Sequence, residues 1–263
     1  MDHHTLCARN IHASYGRTPV LNGVDFTAGA GALTAIVGPN GSGKSTLLGA
    51  ITGSLPHTGT VHLNGRDVVG QKPWQLSAQR AVLPQSSRLA FPFTVIEVVR
   101  LGLQSGTAGD HPQVPMQALA RVGLAHYANR FFTDLSGGEA QRVMLARVLA
   151  QVWSPVENEQ PRWLLLDEPV SSLDIGHQLQ VMDIARDFAA AGGGVVAVMH
   201  DLNLTALYAD QVAVLAQGQC IAAGPPQTVL TDDTLSRAYG CHLRVSTLPA
   251  RDIPFILPHA ASA

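Results

Sequence analysis

Gly38-Pro39-Asn40-Gly41-Ser42-Gly43-Lys44-Ser45-Thr46 is the stretch from which the rest of the chain is read. It follows an apolar run, Leu33-Thr34-Ala35-Ile36-Val37, with the character of a buried strand. It precedes Leu47-Leu48-Gly49-Ala50-Ile51, which reads as the first turns of a helix. Strand, glycine-rich loop and helix start are the context in which G-x-x-x-x-G-K-[ST] carries meaning. Glycines let the backbone curl around a phosphate chain that a Cβ would hold off. The exposed N–H groups and the positive end of the helix then face the anion. In this reading Lys44 reaches the outer phosphates, and the Ser45 hydroxyl sits on Mg²⁺, which prefers hard oxygen ligands. A glycine-rich turn that binds nothing is the competing reading, and the fit of every residue and both flanks argues against it.

The chain has 263 residues, of which 46% are hydrophobic, enough for one large α/β domain or one domain with an insert. A formal net charge of −2 argues against a general nucleic-acid binder, which carries a basic face. Three cysteines, Cys7, Cys220 and Cys241, lie far apart with no C-x-x-C pair. They suit free thiols in a reducing compartment better than a disulfide framework or a zinc site. The start, Met1-Asp2-His3-His4, has no basic segment followed by an apolar core, so no secretory signal is expected. No apolar stretch approaches the roughly 18 residues of a membrane helix, so any membrane role is expected to be peripheral, through a partner.

Strands are expected over 6–12 and 20–26, with Gly16-Arg17-Thr18-Pro19 as the turn and Tyr15 just ahead of it, where an aromatic can stack on a base or simply be half-buried. Thr60-Val61-His62-Leu63 alternates like a strand and ends at the hairpin signal Asn64-Gly65; His62 falls on its polar side. Ala81-Val82-Leu83-Pro84-Gln85 reads as a short strand. Beyond the aromatic segment 89–94 the period turns helical, with Thr94 as cap and Glu97 at the capping-box position. A second helix is expected over 116–122. Together, about 87–152 reads as a helical subdomain inserted between strands of the core.

That region contains Leu135-Ser136-Gly137-Gly138-Glu139-Ala140-Gln141-Arg142. Ser136 and Glu139 again have capping-box spacing, so a helix starts at Ser136 and its glycine-rich first turn is a second anion site. After a polar loop, Trp163-Leu164-Leu165-Leu166-Asp167-Glu168-Pro169 reads as a buried parallel strand ending in two carboxylates. Ligands bind at the carboxyl ends of such strands. An acid there can hold Mg²⁺ and a second can orient a water nucleophile; two idle surface acids would gain nothing from that position. Ser171 to Asp174 is a turn, and a helix covers about 175–190. Val195 to Met199 is a second buried strand ending in His200-Asp201, a placement that favours function over a structural histidine. Gln211 to Leu215 and Cys220 to Ala223 bracket Gln217-Gly218 as a hairpin, Thr228 to Tyr239 reads as one short helix, and the tail beyond Pro249 has no assigned role.

In order and spacing these motifs resemble the ATPase subunit of an ABC transporter, over the chain to about Val245. Leu135 to Glu139 matches the family signature, which is far more specific than the phosphate loop. The resemblance implies an α/β fold: a P-loop NTPase (RecA-like) core with an antiparallel β subdomain and an inserted α-helical signature subdomain. It implies a nucleotide-binding domain over 1–245 and a C-terminal tail over 246–263. By family match, Tyr15 stacks on adenine, and Gln85 is the Q-loop glutamine, counted with Ser45 and Asp167 around Mg²⁺. Asp167 and Glu168 match the Walker B aspartate and catalytic glutamate, Asp174 the D-loop acid and His200 the switch histidine. The resemblance implies that two copies of the chain pack head to tail, each ATP lying between the Gly38–Thr46 loop and Lys44 of one copy and Ser136, Gly137 and Gly138 of the other. Glu168 then polarises the attacking water, and His200 holds the γ-phosphate and that water.

The run from Trp163 to Asp174, the stretch Met199 to Thr205 and Ala238-Tyr239-Gly240-Cys241 are similar to the haem importer ATPases, relatives of the ferric-siderophore and vitamin B12 importer subunits. The implied partners are two membrane permease subunits and, indirectly, a periplasmic haem-binding protein, with this chain on the cytoplasmic face of a bacterial inner membrane. Residues 85–94 would receive a permease helix, Phe91 and Phe93 suiting such an interface. The alternatives are a siderophore or cobalamin importer, a nucleotide-binding regulator without turnover, against which the presence of both Glu168 and His200 argues, and a non-transport ABC ATPase acting on DNA or ribosomes. That last class usually shows coiled-coil inserts, paired ATPase domains or basic patches, none of which is visible.

Overall fold

The computed structural model describes residues 4–85, 91–105, 111–249 and 253–257. β1 (Thr5–Tyr15) and β2 (Thr18–Gly29) pair antiparallel and run beyond the expected bounds of 6–12 and 20–26. The cause is local. β1 shifts register between Ala8 and Ile11, again before Ala13 and again before Ser14, and bulges break the period-2 signal. β3 (Leu33–Val37) leads through the glycine-rich loop into α1 (Lys44–Ile51). β4 (Thr58–Leu63) and β5 (Arg66–Asp67) complete a four-stranded sheet of order β2-β1-β4-β5. The short helix α2 (Pro73–Gln79), with proline in its first turn, leads into β6 (Arg80–Leu83); periodicity does not reveal so short a helix.

Helices follow: α3 (Val95–Ser105), α4 (Val114–Arg121) and α5 (Gly137–Gln151). α4 starts at Val114, ahead of the expected Met116, because Pro115 sits in its first turn, where the missing N–H costs nothing. α3 and α5 approach so closely that a Cβ on Gly102 would collide with the Arg147 carbonyl oxygen. The polar stretch after α5 holds a small hairpin, β7 (Val156–Glu157) and β8 (Gln160–Pro161), turned by Asn158 and Glu159, both at positive φ.

β9 (Trp163–Asp167), α6 (Ile175–Ala190), β10 (Gly194–Val198), α7 (Leu202–Tyr208), β11 (Gln211–Ala216) and β12 (Gln219–Gly224) follow. The strands and α6 fall where expected; α7 was not expected, and Asp201 starts it by accepting from the Asn203 and Leu204 N–H groups. The single helix expected over 228–239 is two, α8 (Pro226–Val229) and α9 (Asp232–Tyr239). Thr231 separates them: its hydroxyl accepts from the Thr234 N–H and starts a new helix.

A six-stranded sheet has the order β12-β11-β3-β10-β9-β6, parallel except for β12. Every residue of β3 and β10 is buried, as expected of strands covered on both faces. One core lies between this sheet and the helices, including α3, α4 and α5. A second joins the two sheets across α1, bringing Leu6, Ile11 and Leu21 together with Leu47, Ile51 and Trp163. Two buried polar tethers fix that junction. Trp163 Nε1 donates to Asn64 Oδ1 at 3.0 Å while Asn64 Nδ2 donates to the Pro161 carbonyl at 2.9 Å. Arg80 donates to the Ile51 and Thr52 carbonyls at the end of α1, at 3.1 and 2.5 Å, and burial pulls its guanidinium down to about 10. These bonds satisfy carbonyls that a helix terminus otherwise leaves open, and they anchor the helix that follows the phosphate loop.

Candidate nucleotide site

Register decides where the chemistry falls. Ile36 of β3 lies beside Val198 of β10, and Val198 lies beside Asp167 of β9. The three carboxyl ends therefore finish at one level, and the segments leaving them, 38–43, 168–169 and 200–201, share one edge of the sheet. That edge is where open α/β sheets bind ligands.

The loop from β3 is held close to its neighbours. Gly38 has φ 150°, and a Cβ there would collide with the Leu215 carbonyl oxygen, so only glycine fits. Gly43 caps α1 at φ 102° with no side-chain hydrogen bond to the helix end. The first N–H groups of α1 thus have no capping side chain and face the cleft. Lys44 is only 6% exposed. Its Nζ donates to the Gly38 and Pro39 carbonyls at 2.9 and 3.1 Å, which lays the side chain back along the loop. Burial lowers the Lys44 pKa, opposed by the charges of Glu168 and Asp167. Ser45 Oγ donates to Asp167 Oδ1 at 3.0 Å. Burial raises the Asp167 pKa against that hydrogen bond.

Glu168 follows β9 in a conformation uncommon for a residue with a side chain, φ 52°. Its N–H donates to the Val198 carbonyl at 3.2 Å. Its own carbonyl accepts from Gln141 Nε2 at 2.9 Å and Ser171 Oγ at 3.2 Å. So held, the side chain turns into the cleft, where Oε1 lies 2.5 Å from His200 Nε2. The Glu168 side chain is 13% exposed and that of His200 42%, so the carboxylate is sheltered while the imidazole reaches the opening.

One cleft of about 720 Å³ brings the candidates together. Asn40, Gly41, Gly43, Lys44, Ser45 and Thr46 form its floor, Glu168 and His200 one wall, and Gln85 and the exposed Tyr15 the rim. Pro39 and Asp167 are joined to it through Lys44 and Ser45, and Gly38 and Ser42 are buried beneath the loop.

Ser136, Gly137, Gly138 and Asp174 do not line this cleft. Ser136 caps α5 in the reciprocal arrangement its spacing predicts. Its Oγ accepts from the Glu139 N–H at 3.3 Å, and Glu139 Oε2 accepts from the Ser136 N–H and Oγ, both at 2.8 Å. Those bonds, with one from Tyr127, hold the Glu139 carboxyl below the usual glutamate range. Asp174 caps α6, accepting from the His177 N–H at 3.0 Å and lying 2.9 Å from His177 Nδ1; these contacts lower its pKa. The second glycine-rich helix start is thus formed, with Ser136 and Gly137 exposed, and is no part of the chain's own cleft. Sequence reading passed over Gln141, which touches the Glu168 peptide from α5. The available signal is spacing: Gly138 and Gln141 are three apart and share a helical face, the face that packs on 168–173.

Comparison with known proteins agrees with this geometry. The family described as ABC transporter matches residues 21–171. A protein from Roseobacter denitrificans named hemin import ATP-binding protein HmuV is 64% identical, over 98% of this chain and 99% of its own length. One of the same name from Rhizobium meliloti is 55% identical, over 97% of this chain and 98% of its own. Among solved structures, the ADP conformation of an ATP-binding cassette of an ABC transporter superposes with a TM-score of 0.75 at 26% identity, covering 89% of this chain and 98% of that one. An ATP-bound bacterial Atm1-family ABC exporter gives 0.74 at 26% identity, covering 86% of this chain and 39% of that one. With the family match spanning more than half its length and full-length relatives sharing most of its residues, the chain belongs to the ABC transporter family and has the fold of that family's ATP-binding cassettes.

Proposed function

We propose that this chain is the ATP-hydrolysing subunit of an importer that carries haem across the bacterial inner membrane. The observation that carries the enzymatic part is the cleft, where Glu168 and His200 stand 2.5 Å apart over an uncapped helix start and a buried Lys44. The haem assignment rests on the names of the full-length relatives.

In this reading Tyr15 stacks on the adenine, and the loop 38–46 with Lys44 holds the phosphates. Lys44 leaves its carbonyl partners and turns to the β- and γ-oxygens, a charge-assisted pairing stronger than the neutral one it replaces. The residues present fit Mg²⁺: Ser45 Oγ and Asp167 Oδ1 are hard oxygens already 3.0 Å apart beside the loop, and Gln85 stands at the rim. When bound, Mg²⁺ neutralises charge on the β- and γ-phosphates. Glu168 accepts a proton from the water whose oxygen bonds to the γ-phosphorus as the bond to the β-phosphate oxygen breaks, yielding ADP and phosphate. His200 orients that water and the γ-phosphate. Ser136 to Gly138, which do not line the chain's own cleft, complete the cleft of a second copy packed head to tail. ATP favours the closed pair because only that state offers both sets of contacts.

Haem crosses through two permease subunits, supplied by a periplasmic haem-binding protein, and does not touch this chain, which sits on the cytoplasmic face. Among the described residues no helix is long and apolar enough to cross a membrane. We assign residues 1–245 to the nucleotide-binding domain, with the helical insert over 87–152, and 246–263 to a tail. The permease contact falls on 85–94. Within it Phe91 is 67% exposed and meets Phe93 edge-on at 6.2 Å, whereas 86–90 lie outside the described residues. Unchanged permease recovery with Phe91→Ala in a pull-down would remove this surface from the proposal.

The test of function is growth of a strain lacking the protein, with haem, a ferric siderophore or neither as iron source, and of its cobalamin uptake. Loss on haem alone, restored by the wild type and not by Glu168→Gln, is the expected result. A defect confined to siderophore or cobalamin moves the substrate, and no defect at all removes the transport reading.

A further inference from the structure

The hydrogen bond from Gln141 to the Glu168 peptide joins two places with separate duties. Gln141 lies on α5, whose first turn is Ser136-Gly137-Gly138. The same helical face packs on the segment after Glu168: a Cβ on Gly138 would stand 3.2 Å from the Ser172 carbonyl oxygen and from Leu173 Cδ2. The backbone of α5 therefore lies close against residues 172–173, and the Gln141 bond to the Glu168 carbonyl couples displacement of α5 to that segment.

Glu168 is well placed to register it. A side-chain-bearing residue at φ 52° keeps that conformation only where its surroundings over-determine it. Four bonds do so: the Glu168 N–H to the Val198 carbonyl, and the Ser171 N–H, Ser171 Oγ and Gln141 Nε2 to the Glu168 carbonyl. Val198 belongs to the central sheet and Ser171 to the same turn. Gln141 alone among them comes from the helical layer. Its Oε1 is buried without a hydrogen-bond partner among the described residues, so the amide keeps an unpaired acceptor while its donor serves Glu168. Rotation of the Glu168 peptide swings the carboxylate against His200, 2.5 Å away.

We propose that Gln141 is a positioning residue that ties the signature turn to Glu168, so that nucleotide contact at the turn adjusts the hydrolytic geometry of the chain's own cleft. This rests on the reading that Ser136 to Gly138 contact nucleotide held by a second copy. On that reading Gln141 links two ATP sites through a single chain, with the turn serving one and Glu168 the other.

The experiment is steady-state ATP hydrolysis by the assembled transporter with Gln141→Met, which keeps side-chain length and removes both the donor and the acceptor of the amide, measured beside Glu168→Gln. The Glu168 carbonyl retains its bond from Ser171, so folding is preserved. Expected for Gln141→Met is a kcat about five- to tenfold lower, the rate equivalent of one ordinary hydrogen bond, with KM for ATP unchanged and the Hill coefficient reduced toward one. A second variant, Gln141→Glu, sets an ionised carboxylate against the carbonyl and a donor there once protonated; its kcat relative to wild type rises as pH falls, which a purely structural role would not produce. If Gln141→Met keeps wild-type kcat and Hill coefficient, or Gln141→Glu shows a flat ratio, while Glu168→Gln is inactive, this inference is overturned and the reading of Glu168 stands. Wild-type turnover by Glu168→Gln overturns both.

Discussion

Glu168→Gln separates binding from chemistry more cleanly than any other change in this cleft. Glutamine has nearly the size and shape of glutamate. The bonds that hold residue 168 at φ 52° run through its backbone N–H and carbonyl, so the substitution leaves them intact. The side chain is 13% exposed and its partner is one imidazole nitrogen, toward which an amide can still direct a donor or an acceptor. Fold and nucleotide affinity should therefore be close to wild type. What disappears is the proton acceptor. A positioned general base contributes typically 10²- to 10⁴-fold, and at about 1.4 kcal/mol per decade the barrier rises by about 3–5 kcal/mol. Phosphate release at saturating Mg²⁺-ATP is expected to fall by at least about a hundredfold, while the Kd for a fluorescent ATP analogue stays within about threefold. ATP should then hold the protein as a dimer in size-exclusion chromatography, because the state requiring the γ-phosphate is no longer discharged. A kcat within threefold of wild type would refute the assignment of Glu168 as base. Lost nucleotide affinity would place its role in binding.

Three further outcomes are expected. Lys44→Ala removes a charge-assisted contact worth about 1.5–3 kcal/mol, so ATP affinity by calorimetry should fall about 10- to 100-fold; unchanged affinity would remove Lys44 from the phosphate site. Gly102→Ala should lower the Tm by several degrees: alanine gains up to about 1 kcal/mol of helix propensity, but its Cβ would strike the Arg147 carbonyl, and overpacking costs about 1–3 kcal/mol; a raised Tm would mean that α3 and α5 part easily. The Glu139 carboxyl sits below its ordinary value of 4.5 because Ser136 hydrogen bonds favour the charged form. The stability it contributes is therefore complete above that pH and lost as pH falls through the lowered folded value; the Tm difference between wild type and Glu139→Gln should hold steady above pH 4.5 and shrink below it, and a difference independent of pH would contradict the ionised capping box.

Much of the site was legible because its chemistry is local. The cap at Ser136 depends on a residue three positions on, and the structure forms it as the spacing predicts. Asp174 and α6 begin where the turn signal places them. Bulged β1 and the hairpin of β7 and β8 were obscured, since register shifts erase alternation and a turn through Asn158-Glu159 carries a weaker signal than Asn-Gly. The break before α9 was missed because Thr231 reads equally well as a helix interior residue until its hydroxyl is seen to accept from Thr234.

By itself the sequence determined the phosphate loop, the buried strands that end in Asp167 and His200, and the two glycine-rich helix starts, all properties of residues a few positions apart. Only the tertiary structure decided that β3, β9 and β10 finish in register, that Glu168 meets His200 across 32 positions of chain, and that Gln141 grips the Glu168 peptide across 27. It also decided that Ser136 to Gly138 do not line the chain's own cleft. Contacts between distant segments depend on how whole layers pack, and the periodicity of a segment marks which of its faces is buried, not which segment covers it.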